Sequence, residues 1–358
     1  QGFGGAITQA TGIQFQRLSA ELQTAVLKHY FEPEAGLNYN IIRMPIGSCD
    51  FSPYTYSFAD HPSGPFGLGQ FDTNLTHDGD LGMIDMLRQE AKWEEEARED
   101  LIVFGSPWSP PSWMKTANHT MVGSAIPCLK NNSAIHRAYA HYFANWIEAY
   151  EDKTGVEIWG VTAQNEPAFY SNNMWEACSY TAEQQRDFIR DHLGPVLAER
   201  FGKNRKKIMH YDYNKAHVVE WARTVLSDEK AAEYIWGTAL HWYDGDFFEN
   251  IGKLKKAHHL LATEGCNCEY DLDKYPDDWS RAKRYAHDII GDFNNGVEGW
   301  VDWNLLLDVK EGASGQGGPN HAGNLCWSHI NVSKGGSLII NPSFYVFGQL
   351  SRFLPRGS

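Results

Sequence analysis

The stretch Ile158-Trp159-Gly160-Val161-Thr162-Ala163-Gln164-Asn165-Glu166-Pro167 passes from an apolar segment into polar side chains and a proline. Its apolar part, Ile158–Ala163, has the length and composition of a buried β-strand. The proline ends that strand. Asn165 and Glu166 are therefore predicted at the rim of a sheet, just beyond the C-terminal end of a strand.

The rest of the chain alternates similar strand-like segments with amphipathic helical ones. The other strands are predicted at Phe3–Thr8, Tyr39–Pro45, Leu101–Ser106, Lys207–Asp212, Tyr234–Trp242, His259–Glu264 and Val297–Asn304. The helices are predicted at Ser19–Phe31, Asp80–Glu95, Ala134–Thr154, Ala182–Phe201, Ala216–Leu226, Phe247–Lys256 and Trp279–Phe293, with a last one from about Ser343. Eight strands, each followed by a helix, predict an α/β fold, the (β/α)8 TIM barrel, as a single catalytic domain over residues 1–358.

A doubly wound open sheet is the alternative fold. Such a sheet normally carries a Gly-rich phosphate loop after its first strand, and Phe3-Gly4-Gly5-Ala6 lacks the required GxGxxG spacing. Capping residues support the helix starts, since Ser19 precedes one helix and Thr181, with Gln184 three residues later, precedes another. Gly312–Gly318 is predicted to be a long loop after the last strand.

The composition limits the classes of function. The formal net charge is −14, which argues against nucleic acid as a partner because phosphate binding needs clustered Lys and Arg. No run of about 18 apolar residues appears, so no transmembrane helix is expected. The six cysteines are too few for a disulfide framework in 358 residues, and their pairing stays open. The spacing Cys266-Asn267-Cys268 suits neither a zinc site nor a redox dithiol, so no metal site is predicted.

Other features of the composition point to secretion and to sugars. The chain opens at Gln1 without an initiator Met, which predicts a mature or trimmed product. N-glycosylation sequons begin at Asn74, Asn118, Asn131 and Asn331, and four of them indicate a eukaryotic secretory protein. The 13 tryptophans indicate sugar binding, because aromatic faces stack on sugar rings. Core filling is the alternative, and it explains Trp108 and Trp113 less well because both lie in Pro-rich turns.

Polar side chains cluster where the predicted strands end. They are Arg43, Cys49-Asp50, Trp108, Asn165-Glu166, His241-Trp242-Tyr243, Glu264 and Asp302-Trp303-Asn304. In a barrel, the C-terminal ends of all strands meet at one mouth, where the chemistry takes place. These residues are therefore predicted to share one site.

Two glutamates among them fit the cleavage of an acetal. That reaction needs a proton for the leaving oxygen and an anion facing the oxocarbenium-like centre, and two carboxyl groups supply both. Glu166 is predicted to be the proton donor, with a pKa raised by burial. Glu264 is predicted to be the anion, held by Arg43. A lone glutamate in this position can also be a structural group, and the arginine favours the functional interpretation.

The same segments resemble glycoside hydrolase family 30. The matching motifs are Phe3-Gly4-Gly5-Ala6, Tyr39–Pro45, Ser48–Ser52, Ser106–Trp113, Thr162–Pro167, Gln185–Ile189, His241-Trp242-Tyr243 and Gly299–Asn304. They occur in order over nearly the whole chain. The resemblance implies a retaining double displacement in which Glu166 is the acid/base and Glu264 the nucleophile.

The resemblance also implies which residues surround the sugar. Asp50 and Trp108 match residues that hold hydroxyl groups of the sugar, and Asn165 matches the partner of its 2-hydroxyl. Trp303 and Asn324 match further residues of the glucose pocket. Tyr243 matches a tyrosine beside the nucleophile, Arg43 an arginine that supports it, and His241 is a further supporting residue.

The resemblance implies glucosylceramidase activity, the hydrolysis of β-glucosylceramide to glucose and ceramide, with no metal or organic cofactor. The implied setting is lysosomal or secreted, at a membrane surface with anionic lipid and a saposin-type activator. Two departures stand out. The family's side β-sandwich is missing or trimmed here, and Ala168–Tyr180 is shorter than in the family's vertebrate lysosomal members, which bears on aglycone specificity.

Two alternative functions stay open. A β-1,6-glucanase or a β-xylosidase-like enzyme would share both glutamates and differ in the pocket. A barrel that binds carbohydrate without catalysis is the alternative from another class, although every catalytic position carries a competent residue type.

Overall fold

The protein is described by a computed structural model in which eight parallel strands close into a barrel. The structure describes residues 1–97, 101–254, 258–309, 317–354 and 356–358. The barrel strands are β1 Gly2–Ala6, β2 Ile41–Pro45, β3 Ile102–Ser106, β4 Ile158–Thr162, β5 Lys207–Asn214, β6 Ile235–His241, β7 His259–Glu264 and β8 Gly299–Asn304. Each strand pairs with the next, and β8 pairs with β1. The prediction of a TIM barrel is confirmed.

Helices surround this barrel. They are α1 Gln9–Arg17, α2 Ala20–Phe31, α3 Thr76–Asp80, α4 Met83–Ala97, α5 Ser133–Thr154, α6 Ala182–Phe188, α7 Gly194–Phe201, α8 Val218–Leu226, α9 Glu229–Ala232, α10 Phe248–Leu254, α11 Asp278–Asn294 and α12 Pro342–Ser351. Short 3-10 turns lie at Pro65–Gly67, Ser112–Met114, Lys215–His217 and Glu269–Asp271. The barrel interior is filled by apolar side chains such as Ile41, Phe104 and Val301.

Local sequence signals explain where the helices begin and end. The side chain of Ser19 accepts a hydrogen bond from the amide of Leu22, and Thr181 and Gln184 form a reciprocal capping box. Both predicted caps are confirmed. The helix predicted at Ala182–Phe201 is instead divided by a π-helical segment, Ile189–Leu193. Pro195 lies just after this segment and cannot donate the amide that a regular helix requires there.

Several elements were not predicted, among them the short helices α3 and α9. Helix α1 follows β1 directly because Thr8, which was assigned to the strand, caps the helix by accepting from the amide of Thr11. A small sheet joins β9 Leu306–Asp308, β10 Ile330–Val332 and β11 Leu338–Ile340. These strands have three residues each, which is too short for a periodic signal. The predicted loop Gly312–Gly318 lies mostly outside the described residues.

Candidate active site

A cavity of about 660 Å³ opens at the C-terminal ends of the barrel strands. Its polar floor carries Asp50, Trp108, Asn165, Glu166, Tyr243, Glu264, Trp303 and Asn324. The more exposed part of its lining carries the apolar side chains of Phe169, Met174, Trp175, Tyr270 and Leu325, together with Glu269. Every residue predicted to be catalytic or substrate-binding therefore lines one pocket.

Glu264, the last residue of β7, is held from two sides. One carboxylate oxygen pairs with the guanidinium of Arg43, which is fully buried in the middle of β2. The other oxygen accepts a hydrogen bond of 2.8 Å from the hydroxyl of Tyr243. Because both partners donate to the anion, they fix the orientation of this carboxylate in the cavity.

Glu166 follows β4 in a strained conformation. Its φ of 47° lies in the left-handed region, at a cost of about 1–3 kcal/mol. Its amide donates to the carbonyl of Asp212 at 2.9 Å, which helps to hold this turn. One carboxylate oxygen of Glu166, one of Glu264 and a ring nitrogen of His241 all lie within 4.8 Å of one another. The two carboxyl groups therefore face each other across the cavity floor.

A buried aspartate that the sequence reasoning missed connects these groups. Asp212 accepts from Arg43 at 3.0 Å, from Thr162 at 2.6 Å and from Thr263 at 2.7 Å. A ring nitrogen of His241 lies 3.1 Å from the same carboxylate. A bulge in β5, where Tyr211 and Asp212 both have positive φ, directs this side chain inward. Asp212 ends the predicted fifth strand, so the strand-end rule applied there would have found it.

The network gives the two glutamates unequal surroundings. Burial raises the pKa of Glu166, and the contact with His241 does not cancel this effect. Burial lowers the pKa of His241, but the charges of Glu264 and Asp212 outweigh it and raise that pKa to about 9. Burial also favours the neutral form of Asp212, yet Arg43 and His241 lower its pKa well below the usual range. Glu166 is thus suited to carry a proton beside a fixed array of charges.

The remaining floor residues form a compact polar and aromatic wall. Trp108 and Trp303 stack with ring centroids 5.1 Å apart, and Arg43 lies against both rings. Asn324 donates to one oxygen of Asp50 at 2.8 Å. The other oxygen of Asp50 is buried and has no hydrogen-bond partner among the described residues. A sugar hydroxyl is the kind of group that would satisfy it.

Within the part of the chain that the structure describes, two groups of side chains are close enough together to hold a metal. Glu166, His241 and Glu264 are close enough together, but each already contacts a protein partner of opposite charge. Cys266, Cys268 and Cys326 also cluster, but Cys268 and Cys326 form a disulfide. The first group fits proton transfer better than metal binding, because Arg43 and a protonated His241 would repel a cation.

The cysteine pairing is decided by the fold. A second disulfide joins Cys128 to Cys178, while Cys49 and Cys266 are free thiols. The expectation that six cysteines form no disulfide framework understated this pairing. The partners are 50 and 58 residues apart in sequence and meet only at the barrel mouth.

Trp113 is the one residue singled out for sugar binding that lies elsewhere. Its indole donates to the carbonyl of Ala59 at 2.8 Å, and its ring packs against Gly67. It therefore braces the loop after β2. Arg43 and His241, predicted as supporting residues, lie beneath the pocket floor. Arg43 contacts Glu264, and His241 contacts Glu166.

A barrel mouth with two facing carboxyl groups, one beside an arginine and one with a pKa raised by burial, defines a glycoside hydrolase site. The chain matches the glycosyl hydrolase family 30 TIM-barrel domain over residues 1–354. It therefore belongs to glycoside hydrolase family 30.

Relatives and solved structures agree with this assignment. A Caenorhabditis elegans protein assigned by name to the glucosylceramidases is 38% identical, over all of this chain and 67% of its own. The lysosomal acid glucosylceramidase of Mus musculus is 34% identical, over all of this chain and 68% of its own. SrfJ from Salmonella typhimurium superimposes with a TM-score of 0.88 at 32% identity, over all of this chain and 75% of that structure. An endo-β-1,6-glucanase superimposes with a TM-score of 0.83 at 26% identity, over all of this chain and 76% of that structure.

The helices were also compared with the length and hydropathy that a bilayer requires. Within the described residues, none is long and apolar enough to cross a membrane.

Proposed function

We propose that the protein is a retaining β-glucosidase that hydrolyses β-glucosylceramide to glucose and ceramide. The observation that carries the mechanism is the approach of Glu166 and Glu264, with carboxylate oxygens within 4.8 Å. Retaining enzymes hold these groups about 5–5.5 Å apart, whereas inverting enzymes need about 6.5–9.5 Å to admit a water molecule.

In the first step, the Glu264 carboxylate attacks the anomeric carbon while Glu166 gives its proton to the glycosidic oxygen. The bond to ceramide breaks, and a glucosyl ester forms on Glu264. In the second step, Glu166 takes a proton from water, and the resulting hydroxide attacks the same carbon. Glucose is released, Glu264 regains its charge, and Glu166 regains its proton.

The shape of the cavity supports a glucose unit attached to an apolar group. Asp50 and Asn324 offer hydrogen bonds beside the stacked Trp108 and Trp303, which is typical of a sugar subsite. The outer wall contains Phe169, Met174, Trp175, Tyr270 and Leu325, which suit a lipid better than a second sugar. The named glucosylceramidases among the relatives point in the same direction.

A membrane surface is the proposed partner. Large apolar side chains are exposed in segments that follow the barrel strands at the mouth: Tyr54, Ile126, Tyr170, Met174, Phe247, Tyr270 and Trp279. Aromatic side chains around a cavity can insert into a lipid interface and bring the substrate to the pocket. The net charge of −14 opposes anionic lipid at neutral pH, and the protein loses negative charge as the pH falls, which would reduce that repulsion. We therefore expect the protein to bind anionic vesicles more strongly at pH 5 than at pH 7. Equal binding at the two pH values in a vesicle-flotation assay would contradict this expectation.

Labelling of the nucleophile tests the catalytic assignment. A β-glucose-configured cyclitol epoxide should form an ester with Glu264, and peptide mass spectrometry should locate it. Glu264→Gln should prevent labelling and lower turnover by several orders of magnitude. Glu220→Gln, on the exposed face of α8, is the matched control and should leave both unchanged. A folded protein that labels elsewhere, or not at all, would favour an inactive carbohydrate-binding barrel.

Substrate comparison tests the aglycone. Glucosylceramide in mixed micelles and β-1,6-glucan should be offered at equal concentrations of glucosyl groups. Preferential release of glucose from the lipid supports the proposal. Activity on the glucan alone would favour the alternative, for which the structural similarity to an endo-β-1,6-glucanase is the specific observation. Lysosomal or secreted localisation and a saposin-type activator remain proposals that follow from the same resemblance.

A further inference from the structure

An ion pair between a half-buried histidine and a fully buried glutamate, outside the reacting groups, joins three loops at one side of the pocket. Glu176, in the loop after β4, is fully buried, and one of its oxygens lies 3.2 Å from the ring Nε2 of His321, in the loop after β8. The other oxygen of Glu176 accepts from the hydroxyl of Ser48, in the loop after β2, at 2.6 Å. One charge pair therefore ties together segments that are distant in sequence.

The geometry of His321 calls for a charged ring. Its Nδ1 lies 2.9 Å from the carbonyl oxygen of Ser52, and its Nε2 faces the Glu176 carboxylate. With the Nδ1–H donating to Ser52, a neutral ring would turn the lone pair of Nε2 toward the Glu176 carboxylate, so the charged imidazolium is favoured at this position. The backbone amide of His321 also donates to Ser52 at 2.8 Å, which fastens the same turn a second time.

The turn that His321 anchors also carries a floor residue of the pocket. Asn320 accepts from the amides of Gly323 and Asn324 and donates to the carbonyl of Asn324 at 2.9 Å. Asn324 in turn holds Asp50, which precedes Ser52 by two residues. The loops after β2 and β8 are thus joined at two neighbouring points, His321 to Ser52 and Asn324 to Asp50.

We propose that Glu176 and His321 are positioning residues that hold Asp50 and Asn324 in the geometry that binds the sugar. Neither residue lines the cavity, so they act through the turn and not on the substrate. This inference rests on the proposed function for its kinetic readout, and it names residues that the family resemblance did not supply.

The pair should respond to pH. The contact with the Glu176 carboxylate raises the pKa of His321 to about 8, against its partial burial. Because this pKa is raised, the stabilisation that the charged His321 gives to the loops is fully present below about pH 6.5 and is lost as the pH rises through about 8. The other groups facing the pair are Asp50 beside His321, and Lys115 and Cys49 beside Glu176. The Lys115 ammonium donates to three backbone carbonyl groups, which keep it in place.

We call the contact between Glu176 and His321 the clamp. Three variants test it with dinitrophenyl β-glucoside, whose leaving group needs no proton from Glu166. Glu176→Gln and His321→Gln should each raise KM about tenfold while kcat falls less than about threefold, because binding geometry is lost and the reacting groups are not. His321→Arg keeps the positive charge, so it should restore KM and move the alkaline loss of affinity above pH 9. The wild type and His321→Arg both contain Asp50, so Asp50 cannot produce a difference between their pH profiles.

His287→Gln is the matched control. His287 contacts Asp246 at 3.0 Å in an exposed pair, which contributes little to stability. It should leave KM and the pH profile unchanged. The inference would be overturned if the Glu176 and His321 variants had the KM of the wild type. It would also be overturned if His321→Arg lost affinity at the same alkaline pH as the wild type. A purely structural role would lower the Tm without changing KM, and this result would also overturn it.

Amide hydrogen exchange separates failure of the clamp from failure of the proposed function. Exchange over residues 317–324 should be about tenfold faster in Glu176→Gln and His321→Gln than in the wild type or His287→Gln. This measurement needs no turnover, so it decides the inference even if the wild type hydrolyses no β-glucoside. Equal exchange rates would refute the clamp.

Discussion

Asp212 shows how much of the site depends on a single buried side chain. It accepts hydrogen bonds from Thr162 and Thr263 and balances the charges of Arg43 and His241. Removing one partner of a buried ion pair typically costs about 3–5 kcal/mol, because the other charge is left uncompensated. Both groups that Asp212 holds also contact a catalytic glutamate, so its position determines theirs.

At the same scale, Glu166→Gln should separate proton donation from nucleophilic attack. Turnover of an unactivated glucoside should fall by about 10²–10⁴-fold, because its leaving oxygen needs a proton. Formation of the glucosyl ester from dinitrophenyl β-glucoside should change little. The raised pKa of Glu166 keeps it protonated to higher pH than an ordinary glutamate, so the variant should also lose the alkaline limb of the kcat/KM profile for unactivated substrates.

Steady-state and stopped-flow kinetics over pH 4–9 would measure these effects for Glu166→Gln. Glu220→Gln is again the control with an exposed side chain. Equal losses on both substrates would contradict the role of Glu166 as proton donor.

At the scale of elements, disulfides join the loops that form the mouth. Cys128, in the loop after β3, is bonded to Cys178, in the loop after β4. Cys268 and Cys326 join the loops after β7 and β8 and line the cavity. The barrel strands need no such bonds, since their hydrogen bonds and buried side chains hold them. The disulfides instead join loops that no strand pairing connects.

Replacing Cys128 and Cys178 together with Ser should lower stability without changing the sugar site. Closure of a loop of 50 residues accounts for about 4 kcal/mol, which corresponds to a Tm lower by about 5 °C in a chain of this size. KM for a soluble glucoside should stay constant, because neither cysteine lines the cavity and Glu176, two residues from Cys178, is still held by Ser48 and His321. Differential scanning calorimetry and initial-rate kinetics would measure the two quantities.

The corresponding double replacement of Cys268 and Cys326 provides the comparison. It should change KM as well, because these residues form part of the cavity wall next to Asn324. A similar change of KM in both double variants would contradict the assignment of separate roles to the two disulfides.

At the scale of the whole molecule, burial should decide which sequons carry glycans. Asn74, Asn118 and Asn131 are exposed, whereas Asn331 lies in β10, is fully buried and donates to the carbonyl of Leu307 at 3.1 Å. A glycan on Asn331 would have to displace packed side chains, so molecules modified there should not reach this fold. Expression in a eukaryotic secretory host should yield folded protein with glycans on the three exposed asparagines only.

Enzymatic deglycosylation in H₂¹⁸O followed by peptide mass spectrometry would report the occupancy of each sequon. Unmodified protein from a cytosolic bacterial host is the control for spontaneous deamidation. A glycan on Asn331 in folded protein would refute the prediction, and the absence of glycans at all four positions would argue against the secretory route.

The sequence by itself determined the barrel, because its strand and helix signals are local and repeat along the whole chain. It also determined that Glu166 and Glu264 share a mouth, since the C-terminal ends of parallel strands must meet there. Asp212 was within reach of the strand-end rule, but the direction of its side chain depends on a bulge with two positive φ values, which its residue type does not predict. The tertiary structure alone decided the cysteine pairs and the contact of Glu176 with His321. These depend on which loops meet in space, and contacts between residues 50 to 145 positions apart leave no periodic signal in the chain.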